Sequence, residues 1–177
     1  MSMTQIAFLR KANIPTNEQI QDTIQKLGYD FKMLSGFENQ IGQNGLECRI
    51  NGHQTYFETY IAPTEITITD NEAEWIEPDI TDQDTAISFI WGADFAAGAC
   101  IGLISIALID LSNASVYYLD DQIKYTREML LADIPQFLVE LNKQSKRNVS
   151  YPGTTKPNQR NTQPKNTLWN KLKNMFK

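Results

Sequence analysis

The chain of 177 residues has one histidine, His53, and two cysteines, Cys48 and Cys100. From Ile50 to Ile123 it has no lysine or arginine, against 13 carboxylates. Each scarcity excludes a class of chemistry. Two cysteines without metal-type spacing make neither a disulfide framework nor a zinc site, and both stand in apolar patterns that predict buried free thiols. His53 is the only ordinary general base for neutral pH, and its position directly after a turn predicts a polar residue closing a hairpin. There is no GxSxG elbow, no P-loop and no GxGxxG. The N-terminus, MSMTQIAFLRKANIP, lacks a basic segment followed by a long apolar run, so no signal peptide is expected. The longest apolar run, Phe95–Ile109, has 15 residues between Asp94 and Asp110. It is short for a membrane span and suits a buried core helix. The expected compartment is the cytoplasm, and no catalytic residue, cofactor or metal is assigned.

What the chain does have is charge of one sign in one place. The formal net charge is −5. The first 142 residues carry 7 Lys and Arg against 21 Asp and Glu, and the last 35 carry nine basic residues and no acidic one. The imbalance peaks in IAPTEITITDNEAEWIEPDITDQD, residues 61–84, with eight carboxylates and one tryptophan, Trp75. A solvated face normally mixes signs, because like charges repel and oppose compaction, and tryptophan is enriched at interface hot spots. Glu65, Asp70, Glu72, Glu74, Trp75, Glu77, Asp79, Asp82 and Asp84 are therefore the candidate partner-binding residues. The competing readings are a solubilising surface, with Trp75 folded back as a loop anchor, and a calcium loop. DNEAEW lacks the glycine that an EF-hand needs at its sixth position. A paired-carboxylate mechanism needs one carboxyl in an apolar pocket, which nothing in the spacing indicates.

Periodicity predicts an α+β domain over residues 1–141, a mainly antiparallel sheet of five to six strands with three helices. The strands are Gln5–Leu9, Tyr29–Leu34, a hairpin over Leu46–Ile61, Glu65–Thr69, Ala86–Trp91 and Val116–Leu119. Asn51-Gly52 predicts a type I′ turn pairing Ile50 with His53, Cys48 with Thr55 and Leu46 with Phe57. That register puts Leu46, Cys48, Ile50, Phe57, Thr59 and Ile61 on the core face. Pro63 is read as a bend. In Glu65–Thr69, Ile66 and Ile68 are expected inward, and Asp70–Asp84 is expected to be an irregular loop. Thr16 and Gln19 form a capping box for a helix ending at Gly28. Asp94 caps a helix running to about Leu111, in which Gly98 and Gly102 would allow close packing on the sheet. Asp120–Leu141 reads as an amphipathic helix that Pro135 kinks or splits.

From Asn142 the composition turns polar and proline-rich, which predicts a flexible linker over 142–167. The closing LWNKLKNMFK, residues 168–177, sets Leu168, Trp169, Leu172, Met175 and Phe176 on one face of a short basic helix. Trp169, Leu172 and Phe176 are the candidate tail-docking residues, toward a membrane surface or a partner's groove.

The run Gln5–Arg10 leading into the Thr16–Leu27 helix, and SFIWGADFAAGACIGLISIAL running into SVYYLDD, give the first 142 residues a layout. That layout resembles the small α+β immunity proteins of bacterial contact-dependent and type VI polymorphic toxin systems. The resemblance implies a non-catalytic protein that neutralises a cognate toxin, stoichiometrically, by occluding its active site. An acidic face with an aromatic anchor imitates a phosphate ligand for a basic cleft and gains association rate by electrostatic steering. The expected partner is thus a protein toxin with a basic surface and not nucleic acid. The alternatives are an adaptor or chaperone of a secretion system tethered by its tail, and a carboxylate- or metal-dependent enzyme.

Overall fold

The computed structural model describes residues 2–37 and 45–149. Seven strands form one antiparallel sheet in the order β2-β3-β4-β5-β1-β6-β7. They are β1 Met3–Leu9, β2 Phe31–Met33, β3 Gly45–Ile50, β4 His53–Pro63, β5 Thr85–Trp91, β6 Ser115–Tyr118 and β7 Ile123–Tyr125. The helices are α1 Asn17–Lys26, α2 Thr64–Asp70, α3 Phe95–Ser112 and α4 Arg127–Val149. The α+β class holds, with seven strands and four α-helices among the described residues against five to six strands and three helices expected. Residues 142–149 of the linker assigned to 142–167 are instead the end of α4; the rest of it, and the terminal helix assigned to 168–177 with Trp169, Leu172 and Phe176, lie outside the described residues.

Local chemistry explains most boundaries. Thr16 Oγ1 accepts from the Gln19 amide while the Gln19 side chain accepts from the Thr16 amide, a complete capping box. Asn51 and Gly52 have φ of 48° and 81°, both positive as a type I′ turn requires. The hairpin register follows, with Ile50 opposite His53 and Leu46 opposite Phe57. Asp94 Oδ1 accepts from the Ala96 amide at 2.8 Å and opens α3.

Alternation divides the sheet into two faces. On the first, α3 packs across the strands, with α1 and α4 against it. Every residue of α3 except Ile109, Asp110 and Leu111 is buried. By length and composition α3 is apolar enough to cross a membrane; here sheet and helices cover it. Cys48 and Cys100 are buried free thiols, and the bond with Cys48, then burial, pushes the Cys100 thiol up, away from the reactive thiolate.

Several expectations are corrected. Glu65–Thr69 is helix, not strand, because β4 and β5 stop pairing at Pro63–Thr85 and the chain leaves the sheet. Thr67 and Thr69 then donate their hydroxyls to the carbonyls of Pro63 and Glu65, four residues back. With helical period, Thr64, Thr67 and Ile68 turn inward, and Ile66 is 52% exposed. Context overrides β propensity here. Asp120 does not open the last helix: β7 intervenes, and α4 begins after Thr126, whose Oγ1 accepts from the Met129 amide. α4 then runs through Pro135 as one element. Pro63 ends β4 and stands at the N-cap of α2. Ile61, expected on the core face, is 37% exposed at the end of that face.

Gly102 serves helix–helix packing instead of packing on the sheet. A Cβ there would stand 3.1 Å from Ile134 Cγ1 of α4, tighter than ordinary contact. Gly102→Val is expected to lower unfolding free energy by about 1–3 kcal/mol through overpacking. Adding Ile134→Ala is expected to cost less than the two changes summed. Urea melts of the three variants check this.

Candidate functional site

β4 and β5 would form a simple hairpin but for residues 64–84 between them. The Thr64 amide donates to the Asp84 carbonyl at 3.0 Å and closes the neck of this excursion. Its apolar side chains, Ile68, Ala73, Ile76 and Ile80, are buried against Ile6, Phe8, Ala86 and Tyr117 on the second face of the sheet. The stretch Asp70–Asp84, expected as an irregular acidic loop, thus follows α2 with a turn at Asn71–Ala73 and a 3-10 helix over Glu74–Asp79. Glu72, at φ 51°, supplies the left-handed residue of that turn.

With Ile68, Ala73, Ile76 and Ile80 toward the sheet, the charged residues face out. Glu65, Asp70, Glu72, Glu74, Trp75, Glu77, Asp79, Asp82 and Asp84 are all exposed and all belong to this one excursion. They divide into two groups. Asp79 Oδ2 accepts from Tyr117 Oη and from Lys124 Nζ, both at 3.1 Å. The Lys124 bond, then that from Tyr117, holds its carboxyl below the usual range. Asp82 meets Arg10 at 3.3 Å. Asp84 accepts from the Lys11 amide at 2.7 Å and from Thr85 Oγ1 at 2.9 Å, and the Lys11 bond leads in lowering its pKa. These three carboxylates fasten the excursion to the strands beside it. Glu65, Asp70, Glu72, Glu74 and Glu77 have no side-chain ion pair among the described residues.

Trp75 is the loop anchor of the competing reading. Its ring meets Tyr117 edge to face, with centroids 5.7 Å apart, while 37% of it stays exposed. Lys124 lies 5.6 Å from the Tyr117 ring centroid. Tyr117 thus carries Trp75, Asp79 and Lys124 together, a role that the pattern VYYL does not announce. No cluster of three or more His, Cys, Asp or Glu placed to hold a metal ion occurs among the described residues. His53 closes the hairpin, with Nε2 3.5 Å from Ser145 Oγ of α4.

Sequence reading also passes over Asp133. It is 4% exposed, and Tyr125 Oη lies 3.4 Å from its Oδ2. Burial raises its pKa to about 6, with the Tyr125 bond opposing. The structure presents it as a buried polar link between α4 and β7.

Compared with known protein families, with curated proteins and with solved structures, the chain matches none.

Asp133 gives a pH test. In the unfolded chain an aspartate ionises near 3.9, roughly, so the folded state holds this proton more tightly. Its contribution is present at low pH and is lost as pH rises from about 4 to about 6. Asp133→Asn is expected to raise stability at pH 7 and to flatten that slope. Urea melts of both proteins at steps between pH 4 and 7 check it; an unchanged slope would contradict it.

Proposed function

We propose that the chain is a non-catalytic binding protein that docks the outer surface of residues 64–84 onto a basic surface of a partner protein. Its role is that of an immunity protein which occludes the basic active site of a cognate bacterial toxin. The observation that carries this reading is the orientation of the excursion. An apolar underside holds it on the sheet, and five outward carboxylates lack ion pairs among the described residues. A fixed array of one sign costs stability through self-repulsion and is useful where it meets the opposite sign. The half-exposed Trp75 at its edge adds an amphipathic surface of the kind found at hot spots.

The division of the carboxylates decides how to test the reading. Reversing Asp79 or Asp82 would also break contacts that hold the excursion, whereas Glu72 and Glu74 are free of such duty. The expected partner is the product of the neighbouring toxin gene, co-purified with this chain. Glu72→Lys with Glu74→Lys is expected to cut the association rate by about tenfold or more at low salt and to leave the melting temperature near that of the parent, because exposed charges act mainly on encounter. The parent rate itself should fall steeply as salt rises. Control reversals at Glu18 and Asp22 of α1 should change little. Stopped-flow mixing over a salt series measures all of these; a double variant that associates as fast as the parent overturns the reading.

A further inference from the structure

Alternation puts Glu47, Arg49, Gln54, Tyr56, Glu58 and Tyr60 of β3 and β4 on the second face of the sheet. The apolar underside of residues 64–84 is seated on β1, β5 and β6 of that face, and all six of these side chains are exposed. Tyr56 at 57% and Ile66 of α2 at 52% are the most exposed large apolar side chains among the described residues, and Tyr60 stands at 38%. The Tyr56 ring lies over Gly45, where a Cβ would collide with it. Tyr60 Oη donates to Glu58 Oε2 at 2.9 Å, and Glu47 stands opposite Tyr56. The open half of the face is thus an aromatic strip edged by carboxylates, and such an exposed patch marks an interaction site. From Tyr56 to Tyr60 it runs about 13 Å along β4.

A second observation, independent of the strip, concerns where the chain leaves it. α4 starts beside β7 and crosses the first face to the β3–β4 hairpin, where Ser145 Oγ stands 3.5 Å from His53 Nε2. His53 is about 10 Å from Tyr56 along the same strand. Val149, the end of α4, is about 6 Å past Ser145 along the helix, so the chain departs beside the hairpin tip. A flexible chain of the length of residues 150–167 spans about 20–25 Å, enough to round that tip from one face to the other. Residues 168–177 would make a helix about 15 Å long, close to the length of the strip. Alone in water so short a helix is marginal, and covering its Leu, Trp and Phe requires a surface. The tether supplies an effective concentration on the order of millimolar, so a weak contact suffices. Charge favours the same match: residues 150–177 hold six Lys and Arg and no Asp or Glu, against Glu47 and Glu58 beside the tyrosines. An ammonium over a tyrosine ring adds to it.

We propose that residues 168–177 dock as a helix on this strip of their own domain, with Trp169, Leu172 and Phe176 against Tyr56, Tyr60 and Ile66. The tail then covers the open half of the second face, next to the acidic platform. This contact is intramolecular and stands apart from the partner proposed above.

The test uses the full chain, isotopically labelled, in NMR. NOEs from the Trp169 indole to the Tyr56 or Tyr60 ring are expected, with intensities relative to those within α3 unchanged over a dilution series. Tyr56→Ser with Tyr60→Ser is expected to loosen the amides of 168–177 from order parameters near about 0.85 to below about 0.6. Trp169→Ala, which leaves the sheet untouched, is expected to loosen them likewise and to shift the amides of residues 54–60. Val139→Ser, removing the exposed apolar side chain of α4, is expected to do neither. The absence of any NOE from Trp169 to β4 overturns the proposal, as does a tail equally ordered with and without the two tyrosines. NOEs that fade on dilution assign the strip to a second copy, and tail amides that become ordered only with phosphatidylglycerol vesicles assign the tail to a membrane; either result overturns it too. Loss of the salt-sensitive toxin association with these NOEs intact removes the docking reading and spares this one.

Discussion

Ile68, Ala73, Ile76 and Ile80 hold residues 64–84 on the sheet, and the orientation of every carboxylate in that stretch follows from them. Burying an isoleucine contributes about 1.5–3 kcal/mol, whereas an exposed charge pair is worth about 0–1 kcal/mol. Three isoleucines and an alanine therefore outweigh the mutual repulsion of eight surface carboxylates, and the segment stays down despite its charge. Tyr117 completes the seat. Itself 1% exposed, it packs against Phe8 edge to face, takes Trp75 on its ring and donates to Asp79.

The carboxylates then divide between two tasks. Asp79, Asp82 and Asp84 draw Lys124, Arg10 and the Lys11 amide from neighbouring elements, so the cation-free interval in sequence is partly neutralised in space. Those cations lie outside that interval, at its far side and near the N-terminus. Glu65, Asp70, Glu72, Glu74 and Glu77 receive no such partner among the described residues. A surface uniform in sequence thus has a structural side and an available side, and the functional reading concerns the second.

Much of the fold was legible because its signals are local. Asn51-Gly52 fixes a turn, and with it the register of β3 on β4. Thr16 with Gln19 fixes a helix start. The unbroken apolar run of α3 admits only a covered helix in this fold. The errors lie where the deciding contact is distant. Thr-Glu-Ile-Thr-Ile-Thr alternates like a strand, but the chain has left the sheet at Pro63, and Ile68 is buried in one cluster with Phe8 and Ile76. β7 is three residues long, too short for periodicity to separate from the helix after it. The candidate carboxylates were legible as a group from composition. Their division was not, because it depends on Arg10 and Lys124, at 72 and 45 residues' remove from Asp82 and Asp79.

The central physical claim is that the acidic segment is a fixed platform on the sheet and not a loose solvated loop. Hydrogen exchange of the amides of Ala73 and Ile76, which donate to Ile68 and Ala73 within the excursion, tests it most directly. Slow exchange is expected there, approaching that of amides in α3. Exchange at the rate of an unstructured peptide at both positions would contradict it, for carboxylates on a freely moving chain form no defined face.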